Sequence, residues 1–169
     1  MSAIPIETER KFLIYMPCLD TLCDQPEIRI QEITQTYLLT DGKKNARIRK
    51  INECGNISYI KTVKERISTL SCYEEEKEIN EEQYLELLKY ADKEKQSINK
   101  TRYSFRYGRH IIEIDIYSFW NDRATLEIEL KSEDEEFSIP TFIKVVKEVS
   151  TDKRYKNTNL AKSIPQDKI

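Results

Sequence analysis

The sequence predicts an α+β protein built on an antiparallel sheet. Many short stretches alternate charged with apolar residues, which is the period of a half-buried strand. Only two stretches carry a helical period, and no strand–helix–strand rhythm recurs, which argues against a parallel sheet. Taken over residues 1–169, these stretches give about eight strands and two main helices in a single domain.

The first strand is expected over Ile4 to Ile14, and Pro17 ends it before an irregular or short helical stretch through Pro26. Within it, Glu7, Glu9 and Lys11 lie two apart, so all three share one face at roughly 6.5 to 7 Å spacing. A row of that kind can hold a divalent cation and an anion side by side. Ile28 to Leu39 follows, rich in Ile, Thr and Tyr, and ends at Asp41-Gly42. Ala46 to Ile51 puts Arg47 and Arg49 on one face, and a turn at Asn52 to Asn56 leads into Ile57 to Val63, where Thr62 and Lys64 share a face. Tyr73 to Ile79 alternates again, with Glu74, Glu76 and Glu78 in register.

Asn80 followed three residues later by Gln83 makes a capping box, and Tyr84, Leu87, Leu88 and Ala91 recur at helical spacing behind it. Three more strands follow: Asn99 to Tyr107 with Lys100, Arg102, Ser104 and Arg106 in one row, His110 to Tyr117 with Glu113 and Asp115, and Ala124 to Lys131 with Glu127 and Glu129. Pro140 is expected to open a second amphipathic helix running to about Val149, which would carry Lys147.

Composition narrows the function. Lys plus Arg (28) nearly balance Asp plus Glu (30), so no overall field draws in nucleic acid or an anionic membrane. No apolar run approaches the roughly 18 residues of a membrane span, and Met1 to Ile6 lacks a signal peptide's apolar core, so a cytoplasmic protein is expected. Cys18, Cys23, Cys54 and Cys72 form no C-x-x-C pair and read as free thiols. With three glycines there is no glycine-rich phosphate loop, so any phosphate site must be built from side chains.

The charge is sorted by strand face: acidic at 7/9, 74/76/78, 113/115 and 127/129, basic at 47/49, 62/64 and 100/102. The series Glu7-x-Glu9-x-Lys11, Arg47-x-Arg49, Thr62-x-Lys64, Glu76-x-Glu78, Lys100-x-Arg102, Glu113-x-Asp115 and Glu127-x-Glu129 covers nearly the whole chain. It closes with Lys147-Glu148-Val149 and Arg154-Tyr155-x-Asn157-x-Asn159-Leu160. In this order the motifs resemble the CYTH superfamily, the triphosphate tunnel metalloenzymes. The resemblance implies a closed eight-stranded antiparallel β-barrel with flanking helices, the charged rows lining a tunnel. It also implies Mg²⁺- or Mn²⁺-supported hydrolysis of a small-molecule triphosphate.

By that match Glu7, Glu9 and Glu129 are the expected direct metal ligands, and Asp115 and Glu127 would hold a second metal or orient the attacking water. Lys11, Arg47, Arg49, Lys64 and Arg102 would grip phosphate oxygens, and Lys147, on the late helix, is expected either to reach the tunnel as well or to stand as an exposed surface lysine. Such residue types suit the chemistry, because triphosphate hydrolysis needs cations and a hard, oxygen-liganded metal rather than a covalent nucleophile. Glu76 and Glu78 are expected to position basic residues across the tunnel. His110, the one histidine, stands beside a turn and is expected at the surface.

Related tunnels serve inorganic, thiamine and nucleoside triphosphates, RNA ends and adenylate cyclisation. Pro5-Ile6 stands where bacterial class IV cyclases carry His-Phe, which disfavours cyclisation. The expected activity is therefore hydrolysis of inorganic triphosphate by a monomer or homodimer. The alternatives are a thiamine or nucleoside triphosphatase, a non-catalytic polyphosphate- or nucleotide-binding module, and a β-rich interaction protein without a site.

Overall fold

The computed structural model describes residues 6–169, so the beginning of the first expected strand, at Ile4 and Pro5, lies outside them. In chain order the elements are β1 (Ile6–Tyr15), α1 (Leu19–Cys23), β2 (Arg29–Tyr37), β3 (Asn45–Glu53), β4 (Asn56–Arg66), β5 (Ser71–Ile79), α2 (Glu81–Leu88), β6 (Ile98–Tyr107), β7 (His110–Tyr117), β8 (Arg123–Leu130) and β9 (Val145–Glu148). A 3-10 turn at Lys153–Tyr155 and α3 (Asn157–Leu160) complete the chain.

Eight strands close a barrel in the order β1-β8-β7-β6-β2-β3-β4-β5, returning to β1, every pair antiparallel. Alternation then sends one residue of each pair inward and the next outward. The outward apolar residues make two packed layers. Phe12, Ile112, Ile114, Leu126 and Ile128 lie beneath Leu22 of α1 and the segment around Ile143, while Ile48 and Ile79 lie beneath Tyr84 of α2. Each of these side chains contributes about 1.5–3 kcal/mol relative to exposure. A third cluster closes one end, where Leu13, Tyr37, Ile98 and Tyr117 pack against Val149, Tyr155, Leu160 and Ala161 from the C-terminal segment.

Local signals read from the sequence explain the joints. The Asn80 side chain accepts from the Gln83 amide, and Gln83 reaches back to the Asn80 amide, which fixes the start of α2. Cys54 and Gly55 both have positive φ, the two-residue turn that matches the twist of a tight hairpin.

Two expectations need correction. No helix runs from Pro140 to Val149; a turn closed by Ile143 N donating to Pro140 O leads into strand β9, which holds Lys147. One edge of β1 is taken by β8, and the other is taken by β5 only at Ile6 to Thr8. Backbone groups of Phe12 to Ile14 therefore need partners, and Val145, Lys147 and Glu148 supply them as a strand that the β-branched Val145-Val146 favours. The second concerns His110, which is buried, with Nε2 3.2 Å from Glu135 Oε1. Among the described residues no helix is long and apolar enough to cross a membrane.

Candidate functional site

The inward rows enclose a cavity of about 540 Å³. Its wall carries nine lysines and arginines but four glutamates, in a chain whose net charge is −2. Barrel residues Glu7, Glu9, Lys11, Arg47, Lys64, Arg102, Glu113 and Glu127 form the inner part. Segments 40–45, 66–72 and 149–158, with Tyr37 and Lys95, form the rest, adding the cations Lys43, Lys44, Arg66, Lys95 and Lys156.

Closure places β1 beside β5, which brings the first acidic row against one that begins 67 residues later at Glu74. Lys64 Nζ lies 2.5 Å from a carboxylate oxygen of both Glu7 and Glu74. Burial and a hydrogen bond shared with Glu74, opposed by Lys64, push the Glu7 carboxyl up to about 8. Burial acts upward on Glu74 also, yet the same shared proton and Lys64 hold it down to about 2. The pair thus holds one proton between two carboxylates. Cys72 Sγ is 3.6 Å from Glu7 Oε2, and burial pushes this thiol up to about 11. Glu9 is raised by burial and by Glu127.

Glu127 Oε1 meets Lys11 Nζ at 2.8 Å. Burial would lower Lys11, but Glu127, Tyr117 and Glu9 raise it above an ordinary lysine, and burial on Glu127 is outweighed by Lys11 and Arg102, which bring it down to about 2. Asp115, 1% exposed, gives both oxygens to cations: Lys100 Nζ at 2.6 Å and Arg102 at 2.7 and 2.8 Å. Those two charges overcome burial and hold Asp115 well below the carboxylate range. Lys100 shares its one carboxylate with the repelling Arg102, and burial brings it down to about 8. Arg102 also pairs with Glu113 at 2.5 Å and reaches Glu127 at 3.4 Å.

The expected site residues therefore separate by surroundings. Glu7, Glu9, Lys11, Arg47, Lys64, Arg102 and Glu127 converge on the cavity. Glu129 stands opposite Glu9 across the β1–β8 ladder, exposed and outside the cavity wall, and has no ion pair among the described residues. Asp115 lies behind Arg102, and Arg49 is held by Glu76 and Thr62, which gives Glu76 the positioning contact expected of it. Lys147 does not line the cavity; its ammonium is 2.7 Å from Asp167. Glu74, Arg66 and Lys156 were not picked out as site residues. Cross-strand register would have revealed Glu74 opposite Lys64, but register is not visible in a local pattern.

The donor set fits a hard divalent cation. Glu7 and Glu74 already place acceptor oxygens together, and Glu9 and Glu129 are side by side, so oxygen ligands dominate. Because Glu7 holds a proton up to about pH 8, cation binding there is expected to release it. Apparent affinity for Mg²⁺ should rise with pH toward 8, by up to about tenfold per unit, and level off above. Calorimetry in buffers of different ionisation enthalpy reads the released proton directly. Equal affinity at about pH 6.5 and 8.5 would rule out Glu7 as a proton-coupled ligand.

A family model described as the CYTH domain matches residues 5–163. The solved structure of the inorganic triphosphatase NE1496 is 29% identical over 94% of this chain and 96% of its own, with a TM-score of 0.58. Protein PH1819 from Pyrococcus horikoshii is 20% identical over 76% of this chain and 80% of its own, with a TM-score of 0.60. A putative adenylyl cyclase from Hippeastrum, described as having a dominant triphosphatase activity, is 16% identical over 75% and 80%, with a TM-score of 0.51. The last two similarities concern the fold alone. No curated protein sequence matches this chain.

Proposed function

This chain belongs to the CYTH family, and from that premise we propose that it hydrolyses inorganic triphosphate to pyrophosphate and phosphate with Mg²⁺ or Mn²⁺. The observation that carries the reading is the charge of the cavity, more than twice as many cations as carboxylates inside a weakly acidic protein. A compact polyanion balances such a wall, and the similarity to NE1496, named as an inorganic triphosphatase, supports the same substrate. We take the protein to be cytoplasmic, acting on a small molecule rather than nucleic acid or membrane, as a monomer or homodimer.

In this reading Glu7, Glu9 and Glu129, with Glu74 beside them, hold the metal. When bound, it neutralises charge on the phosphoryl oxygens and lowers the pKa of a coordinated water. Lys11, Lys64, Arg47 and Arg102 grip the phosphate chain, the arginines through a two-pronged fork and the lysines as point charges. Arg47 has a buried Nε without a hydrogen-bond partner among the described residues, a donor that a phosphate oxygen would satisfy. Glu127 keeps Lys11 charged and aimed inward and orients the attacking water, while Asp115 fixes the fork of Arg102 from behind. Arg49 supports Arg47 on the same face of β3.

Phosphate release measured side by side from tripolyphosphate, ATP and thiamine triphosphate tests the substrate. The proposal expects kcat/KM for tripolyphosphate to exceed the others by at least about tenfold, since Tyr37, the one aromatic among the described residues of the cavity wall, is buried with Lys95 over its ring and offers no open platform to a base or thiazole. A preference for ATP or thiamine triphosphate would shift the assignment to that substrate.

A further inference from the structure

We propose that Lys95 is a specificity-determining residue of the tunnel: held over the Tyr37 ring by Asp92, it closes the aromatic surface of the cavity to an organic ring and reserves the site for a triphosphate that carries none. The inference rests on the triphosphate reading above. It concerns the loop between α2 and β6, which lies outside the charged strand rows.

That loop is stitched to the end of β2 before it turns back. Leu39 N donates to Tyr90 O at 2.9 Å, Leu38 pairs with Ala91 in an isolated bridge, and Asp92 N donates to Tyr37 O at 2.9 Å. Lys95 N then donates to Asp92 O at 3.0 Å, closing a tight turn, and Gln96 N donates to Ala161 O at 2.7 Å. Both ends of the turn are therefore pinned, the first to the strand that bears Tyr37 and the second to the C-terminal segment. Lys95, half-buried, is carried back over Tyr37.

Tyr37 is the one aromatic among the described residues of the cavity wall, and it is 4% exposed. Its hydroxyl accepts from Gln35 Nε2 at 2.9 Å, and its ring packs in the cluster that holds Leu13 and Val149. Lys95, also in the cavity wall, sets its ammonium 5.4 Å from the ring centroid. Paired aromatic rings lie with centroids about 4.5–7 Å apart, so the ammonium takes the place that a base or thiazole would need.

The ammonium is held there from two sides. The quadrupole of the ring attracts it, and Asp92 Oδ2 lies 2.9 Å away. Asp92 is fixed in turn, since its Oδ1 accepts from the Glu94 amide at 3.0 Å. Lys11, Arg47, Lys64 and Arg102 project from barrel strands, whereas Lys95 is anchored to its own loop and answers Tyr37 and Asp92. A substrate with a ring would have to pull the ammonium off both partners, a cost that inorganic triphosphate does not meet.

Steady-state kinetics with tripolyphosphate, ATP and thiamine triphosphate, on wild type, Lys95→Ala, Lys95→Arg and Asp92→Asn, test the assignment. Lys95→Ala is expected to raise kcat/KM for ATP relative to tripolyphosphate about ten- to hundredfold, the range that stacking a base on the bared ring brings. Lys95→Arg, whose guanidinium still covers the ring, should keep the wild-type ratio. Asp92→Asn, which loosens Lys95 without removing it, should shift the ratio the same way by less, and it carries the test should Lys95→Ala fail to fold. Adding Tyr37→Leu to Lys95→Ala should return the ratio to the wild-type value, whereas a gain due only to a wider cavity would survive it and overturn the inference. Equal losses on all three substrates in Lys95→Ala would make Lys95 a phosphate-binding cation and overturn the inference, as would an unchanged ratio; both leave the proposed function standing. Wild-type protein that prefers ATP, or turns over none of the three, overturns both.

Discussion

Asp115→Asn is expected to destabilise the protein by about 3–5 kcal/mol, because it leaves Lys100 and Arg102 in the barrel wall without their shared countercharge. The asparagine fills the same space, so the loss is electrostatic rather than a cavity. Denaturant unfolding should show a lower midpoint at unchanged slope. The pH dependence follows from the same contact. Asp115 titrates lower folded than unfolded, so its contribution is complete above the unfolded value of about 3.8 and is lost as pH falls toward the folded one. Wild type should therefore lose stability below about pH 4 more steeply than the variant. A midpoint shift equivalent to under about 1 kcal/mol would mean that water or another anion already compensates these cations.

Glu9→Gln is expected to separate stability from activity. The Glu9 carboxylate is disfavoured by burial and by Glu127, so removing its charge should leave stability unchanged or raise it. Phosphate release, in contrast, should fall by two to three orders of magnitude, roughly the effect of deleting a group that organises transition-state charge. Thermal unfolding and initial rates on the same preparation read both signs. A variant that loses stability and keeps its rate would place Glu9 in the framework instead of the site. The opposite behaviour of Asp115 and Glu9, two acids on the same inner surface, reflects their partners: one answers two cations, and the other answers none at ion-pair distance among the described residues.

Much of this arrangement was legible in the sequence because strand alternation and charge act locally. The row Glu7, Glu9, Lys11 and the rows at 47/49, 100/102 and 127 all point inward as their spacing requires. Closure of the barrel rested on family resemblance, since pairing β5 with β1 is a long-range event that no local period encodes. The segment after Pro140 misled for a related reason. Phe142, Ile143, Val146 and Val149 can be read at helical spacing, but the open edge of β1 is a tertiary demand that overrides a short apolar pattern. With that strand went Lys147, and the C-terminal cation facing the cavity became Lys156.

The most direct measurement is phosphorus NMR of tripolyphosphate incubated with the protein, with Mg²⁺ or Mn²⁺ and again with EDTA. Tunnel hydrolysis predicts disappearance of tripolyphosphate into equal amounts of pyrophosphate and phosphate only when the divalent cation is present. Intact tripolyphosphate in the presence of the cation, with binding retained by calorimetry, would contradict it and leave a polyphosphate-binding barrel in its place.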